Sequence, residues 1–388
     1  MGKGCFPHVF YYICIMELHL NETEVYQMVD RFKSFYEGLD NITDYYLQKK
    51  LERLNNTTFN PIDGRVFNDY TMNPMDMDLE LVEIDSKEFT ELTTQIASFP
   101  IESQIGRKLT LGLKERKSNT WVGFVRISSP VSSIKPRNNF FGESLRLDKV
   151  NPHIYNGQTI VPVQPFGFNY LGGKLMSLVC ISNEVRDMFN KKYGTNILVF
   201  ETTSLYGNTK TNSQYDGLEP YIKYKGLTES TNLLTPIDEI YFELRNKCRE
   251  HYGNPNWNGM LVDPKPSSPK SRELNKVISI LTNHLKVYNK TLHDEFKVFL
   301  KEKCETKQQK RYYMSTFGFT NVKEHILNGE ELIRPEPSKY DLQNLIQYWK
   351  RKSFNRWTKL TEEGRIQTEL ECYTPESITT GVSFKIIR

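Results

Sequence analysis

Residues Gln158–Val179, QTIVPVQPFGFNYLGGKLMSLV, carry the reading on which the fold turns. The stretch opens on β-branched and apolar residues and passes Gly167, Gly172 and Gly173. It closes on a row in which Leu175, Leu178 and Val179 recur at helical spacing. A strand that meets a helix through glycines aims backbone N–H groups outward, beside the positive end of the helix. Two readings of the loop therefore stand open: a cradle for a phosphate, or a turn that joins strand to helix. The glycines fall as G-x-x-x-x-G-G, which is not the dinucleotide fingerprint. Leu175 follows Lys174 where a Walker loop needs a hydroxyl for magnesium, so that loop fails too.

Outward from this loop, TIVPVQP (159–165) and NILVFETT (196–203) read as strands, with a helix through GKLMSLVCISNEVRDMFNKKYG between them. Strand, helix, strand over this length is the crossover unit of a parallel pair. Upstream, RKLTLGLKE (107–115) and TWVGFVRIS (120–128) alternate as strands. ELVEI (80–84) is a short strand candidate, and SKEFTELTTQIASFP a helix stopped by Pro100. Residues 16–56 and the segments 274–288 and 292–303 have helical periodicity. The fold class expected is mixed α/β (α+β), with helical additions at both ends. The expected divisions are a possible upstream extension at 1–15, an acidic helical arm at 16–100, an α/β core at 101–240 and a basic helical region at 241–388. A Pro/Ser/Lys linker at 263–271 falls inside the last of these.

Charge is divided unevenly along the chain. Residues 16–100 hold 17 Asp/Glu against 7 Lys/Arg, and residues 101–388 hold 30 against 43. A basic portion of this kind suits a polyanion such as DNA. From Lys301 to Leu360, 13 Lys/Arg are interleaved with aromatics in KRYYMSTFGF and YWKRKSFNRW. Lys310, Arg311, Lys350, Arg351, Lys352 and Arg356 are the candidates for phosphate contact. Tyr312, Tyr313, Phe317, Trp349, Phe354 and Trp357 are the candidates for base stacking, though Trp349 and Phe354 also fit a core stripe with Leu342, Leu345 and Ile346.

Some function classes are poorly supported. No run of 18 apolar residues is present to span a membrane. The six cysteines are scattered without CxxC spacing, which argues for a reducing, cytoplasmic compartment and against zinc. No histidine pair falls at i, i+4, and no G-x-S-x-G occurs. Asp76 and Asp78 in MDMDLE could hold a nuclease metal, but an acidic loop accounts for them more economically, and no metal is expected.

In VPVQPFGFNYLGGKLM, Asn169-x-x-Gly172-Gly173-Lys174 is similar to the Q/R-x-x-G-x-G/A loop of the GNAT acyltransferases. It departs from that pattern at Asn169 and at Lys174. Downstream, Lys192-Tyr193-Gly194, Glu201-Thr202, Tyr215 and Gly226-x-Thr228 resemble the DruA component of the Druantia anti-phage system. WVGFVRISSPVSS (121–133) resembles the same family's upstream strand, an arrangement shared with the Mom proteins of phage DNA modification. The resemblance covers about residues 119–228. It implies a GNAT-like core and an acetyl-CoA or other acyl-CoA cofactor held by Val161, Val163, Asn169, Gly172, Gly173 and Lys174. By the same resemblance, Glu201 is the candidate base and Tyr215 the candidate acid for a departing thiolate. The function implied is acyl-CoA-dependent modification of DNA in a phage or anti-phage setting. The alternative is a non-catalytic nucleic-acid-binding protein that keeps the fold.

Overall fold

The computed structural model describes residues 18–38, 42–56, 64–101, 106–204, 213–229, 242–247, 270–304 and 310–379, with positions 60, 62, 233, 235 and 236. The expected extension at 1–15 and most of the linker at 263–271 lie outside these residues.

Along the chain come α1 (Glu22–Glu37), α2 (Ile42–Asn55), β1 (Leu79–Glu83), α3 (Ser86–Ile96), β2 (Lys108–Glu115) and β3 (Thr120–Ser128). There follow α4 (Lys135–Phe141), α5 (Leu147–His153), β4 (Ile154–Pro162), α6 (Phe166–Asn169), α7 (Gly172–Val179) and α8 (Asn183–Tyr193). Next are β5 (Val199–Thr203), β6 (Lys223–Leu227) and a helical stretch, α9, at residues 242–247. The chain continues with α10 (Lys270–Tyr288), α11 (Lys290–Cys304), β7 (Arg311–Ser315), α12 (Val322–Asn328), α13 (Leu342–Glu362) and α14 (Pro375–Thr379).

The chain divides into two compact units, Met1–Gly38 with Asn232–Glu305, and Leu39–Thr231 with Thr306–Arg388. This differs from the division expected along the sequence, because each unit joins segments that are distant in the chain. In the first unit α1, α10 and α11 pack together. Asn21 caps α1 by accepting from the Glu24 N–H, while Glu24 accepts from the Asn21 N–H in return. Val25, Met28, Val29 and Phe32 form the buried stripe of α1 that the periodicity predicts.

The second unit is built on one seven-stranded mixed sheet in the order β1-β2-β3-β4-β5-β7-β6. Every neighbouring pair is antiparallel except β4 and β5, which run parallel. β3 is buried along its whole length because helices cover the sheet on both faces, so even its Arg126 and Ser128 are buried. Ile160 of β4 belongs to the cluster with Leu175 and Met176 of α7. Val161 belongs to the cluster with Phe89 and Leu92 of α3. Alternate residues of one strand thus serve the two faces.

Two elements depart from the sequence reading and one follows it. The helix expected between β4 and β5 is broken at Cys180–Ser182, where the Ser182 hydroxyl accepts from the Val185 N–H and starts α8 afresh. The strand expected at ELVEI (80–84) forms as β1, on the edge of the sheet. KRYYMS, read as part of a nucleic-acid-binding tail, forms β7 and inserts between β5 and β6. Tyr312, Tyr313, Phe317 and Trp349 are buried, so they are core residues and are not available for stacking on bases.

Candidate functional site

β4 and β5 are paired only at Ile154–Val199, Tyr155–Phe200 and Asn156–Glu201. Beyond Asn156 the two strands part, because β4 runs on to Pro162 beside β3 while β5 turns with β7. Parallel strands that separate at their carboxyl ends open a crevice, the usual place for a ligand in a sheet of this kind. Here the crevice is a cavity of about 950 Å³, large enough for a drug-sized ligand. One wall is β4 from Asn156 to Pro162, and the other is Glu201–Ser204 with the loop Ser213–Gly217.

The glycine loop stands at one end. The chain leaves β4 through Val163–Pro165 and makes its first helical turn at α6, so the hand-over from strand to helix lies at Gln164-x-x-Gly167. Asn169-x-x-Gly172 comes one turn later. The Gln164 side-chain oxygen accepts from the Phe168 N–H at 3.0 Å, and both Gln164 and Gly167 line the cavity. This register could have been read from QPFG, which has the Gln and Gly of the loop pattern at the right spacing.

The glycines have different reasons to be there. A Cβ on Gly172 would lie 2.7 Å from the Phe166 ring and 2.9 Å from Pro162, so this glycine is required by packing. Gly173 faces the cavity, where a Cβ would stand 2.7 Å from the Gln214 side-chain oxygen. Leu171, which caps α7, takes a left-handed φ of 55°, so the turn is held by its surroundings.

Of the expected cofactor residues, Val161, Gly173 and Lys174 line the cavity. Val163 is buried in the apolar cluster beside α3. Asn169 is buried, donates to the Gln367 carbonyl at 2.7 Å and accepts from the Gln367 N–H at 3.0 Å. It is a clamp on the segment after α13. Lys174 donates to the Asp216 carbonyl, and burial, with Lys352 nearby, lowers the affinity of its amine for a proton.

Glu201 stands in the cavity wall and is almost fully buried. Arg137 of α4 reaches Oε1 at 2.9 Å and Oε2 at 3.2 Å, and the Tyr312 hydroxyl donates to Oε2 at 2.8 Å. Arg137 also donates to the carbonyls of Val131 and Ser132. Burial pushes the Glu201 carboxyl up, while Arg137 and Tyr312 pull the other way. Tyr312 comes from β7, diagonally across the ladder from Glu201, and sequence reading missed it because its segment was assigned to the basic tail.

Tyr215 also lines the cavity, with its hydroxyl 3.4 Å from the Thr202 hydroxyl. Burial pushes its phenol up to about 12, so it holds its proton at neutral pH. Its loop is tied down through Asp216, which accepts from Arg311 at 2.9 and 3.1 Å, from the Tyr313 hydroxyl at 2.9 Å and from the Ser213 N–H at 2.8 Å.

The six basic candidates separate. Lys310 and Arg356 line the cavity, and the Arg356 guanidinium lies 4.7 Å from the centre of the Phe168 ring. Arg356 Nε is buried with no hydrogen-bond partner among the described residues. Arg311 is engaged by Asp216, and Lys350 is buried with its ammonium on the Met75 carbonyl at 3.0 Å. Arg351 is exposed on α13, and Lys352 lies 5.1 Å over the Tyr348 ring. Asp78 is engaged by Arg116 at 3.1 Å. Among the described residues no cluster of three or more His, Cys, Asp or Glu could hold a metal ion.

A strap that sequence reading did not single out closes the remaining side. After α13, Gln367 is held by Asn169, the Glu371 N–H donates to the Gln164 carbonyl at 3.3 Å and the Tyr373 N–H to the Gln95 carbonyl at 2.7 Å. Behind it Lys50, buried on α2, donates to the Thr94 carbonyl with its ammonium 5.1 Å over the Tyr373 ring. Burial brings its amine down to about 7. An unfolded lysine keeps its proton to about pH 10. Between about pH 7 and pH 10 the unfolded chain therefore binds more protons, and stability should rise with pH. Lys50→Met should raise the melting temperature at pH 7 and flatten that rise. A slope that survives the substitution would show that another group causes it.

Residues 39–213 match the family model described as Druantia protein DruA. The chain resembles DruA. The match begins just before α2, takes in the acidic segment from residue 39 onward but not α1, and runs through β5. A Druantia protein DruA of Escherichia coli (strain UMEA 4076-1) is 28% identical over 189 residues, which cover 41% of this chain and 45% of the relative. The chain thus spans less than half the length of that DruA. No solved structure matches. β6, β7, α13 and the strap lie outside the part that matches DruA, so Tyr312, Lys310 and Arg356 come from elements that the DruA match does not include. No helix among the described residues is long and apolar enough to cross a membrane.

Proposed function

We propose that the sheet of the second unit is a GNAT-like core and that its cavity binds an acyl-CoA or a closely related phosphorylated thioester. The resemblance to DruA supports a place in anti-phage defence of the Druantia type, and we propose DNA as the molecule acted on. The observation that carries the ligand reading is the parting of β4 and β5 over a cavity with Gly173, Lys174 and Arg356 at one end. Two further observations support it. Arg356 presents a buried Nε in need of an acceptor, and the start of α7 adds the partial positive charge of a helix end.

The residues present fit a phosphate-bearing ligand. Lys174 and Arg356 would hold the phosphates, and the separated edge of β4 would accompany an extended chain. When bound, the thioester supplies an activated acyl group. Tyr215, which keeps its proton, would donate to a departing sulfur. Glu201 suits a positioning role better than that of a base, because both of its oxygens already accept hydrogen bonds. Amine attack on a thioester is downhill, so placement supplies much of the acceleration.

That same occupied carboxylate favours a second reading, a non-catalytic nucleic-acid-binding protein that uses Arg351 and Lys352 of α13. Calorimetric titration of acetyl-CoA and free CoA separates the two. Binding to the full chain, weakened at least tenfold in Lys174→Glu and in Arg356→Glu at unchanged melting temperature, is the expected result. No binding to a folded wild type would overturn the cofactor reading and leave the binding-protein reading.

A further inference from the structure

Beyond Asn156, β4 has no strand beside it on the crevice side, and side chains serve its carbonyls instead. The Gly157 carbonyl accepts from the Thr202 hydroxyl at 2.8 Å. Thr202 is buried, short and fixed in β5, so this bond belongs to the sheet. The Ile160 carbonyl accepts from the Gln214 side-chain amide at 3.2 Å. That partner is of a different kind. Gln214 is half-buried and reaches β4 from the loop at 213–217, on the other wall of the cavity, through a long unbranched side chain.

The same side chain lies on the glycine loop. A Cβ on Gly173 would come 2.7 Å from the Gln214 side-chain oxygen and 3.1 Å from the Gln214 Cβ. Gln214 therefore covers both surfaces assigned above to the ligand, the separated edge of β4 and the start of α7. Its amide donates to β4 as the N–H of an extended ligand would. The backbone beneath it is held, because Asp216 binds Arg311 and the Tyr313 hydroxyl through its side chain and Lys174 through its carbonyl. Moving Gln214 aside thus needs a change of rotamer and no movement of the loop.

We propose that Gln214 is a gating residue, which fills the ligand's place on β4 and Gly173 in the free protein and turns aside when the ligand enters. The inference rests on the reading of the cavity as an acyl-CoA site and adds how that site is kept closed when empty. A ligand that must first break the bond from Gln214 to Ile160 binds more weakly by the net worth of that bond.

Calorimetric titration of acetyl-CoA into the full chain tests the gate. Gln214→Ala removes the amide, and Gln214→Asn keeps an amide too short to reach Ile160. Both variants should bind acetyl-CoA about three- to tenfold more tightly than the wild type, the factor that one ordinary hydrogen bond withholds. Without ligand both should melt no higher than the wild type, since the Ile160 carbonyl has lost its donor. Affinity and stability then move in opposite directions or affinity moves alone, whereas a purely structural role would lower both. Equal or weaker binding by the variants, beside a wild type that binds, overturns the gate and spares the cofactor reading. Absence of binding to the wild type and to both variants overturns the two together.

Discussion

Arg137→Ala is expected to destabilise the second unit by about 3–5 kcal/mol, the usual cost of leaving one member of a buried ion pair without its partner. Arg137 is fully buried and Glu201 nearly so, so removing the guanidinium leaves a buried carboxylate short of its charge partner. The loss also strips a donor from the carbonyls of Val131 and Ser132 and leaves the Tyr312 hydroxyl as the remaining donor to Glu201 among the described residues. The measurement is urea unfolding at pH 7. A double variant, Arg137→Leu with Glu201→Leu, should recover much of the loss, because an apolar pair of similar volume escapes the desolvation cost. If the double variant is as unstable as the single one, the cost lies in packing and not in the orphaned charge.

Trp349→Ala should cost a similar 3–5 kcal/mol, as large-to-small changes of a buried aromatic do. Trp349 is 1% exposed, donates from its indole to the Tyr170 carbonyl at 2.8 Å and stands 6.1 Å from the Phe166 ring. The residues it touches are those of α6 and the turn into α7, so the substitution should also loosen the glycine loop. Loss measured by urea unfolding should be accompanied by weaker acetyl-CoA binding in the fraction that stays folded. A loss below about 1 kcal/mol would mean that α13 is not integral to the core of its unit.

Much of the sheet was legible in the chain itself. Alternation in RKLTLGLKE and TWVGFVRIS marks β2 and β3, and the apolar run of NILVFETT marks β5. Their period of two depends only on which face each residue presents, and that is a local property. The strand–helix–strand unit around Gly167–Gly173 gave the parallel pair because a crossover of that length permits little else. The break at Cys180–Ser182 was hidden, since apolar residues continue through it and only the Ser182 cap separates two helices.

The candidate site was less legible, because its members meet through pairings between distant segments. Tyr312 reaches Glu201 only after β7 enters the sheet between β5 and β6, a step that a five-residue strand in a basic stretch does not announce. Asn169 had the right spacing for a phosphate loop, yet its amide is spent on Gln367, nearly two hundred residues away. The sequence by itself determined the mixed α/β class, the strands, the glycine junction and the likeness to DruA, all carried by local periodicity and short motifs. Tertiary structure decided that Glu201 is engaged and that most of the basic tail's aromatics are core. Burial and pairing of charge depend on what the rest of the chain brings alongside, and no local pattern encodes that.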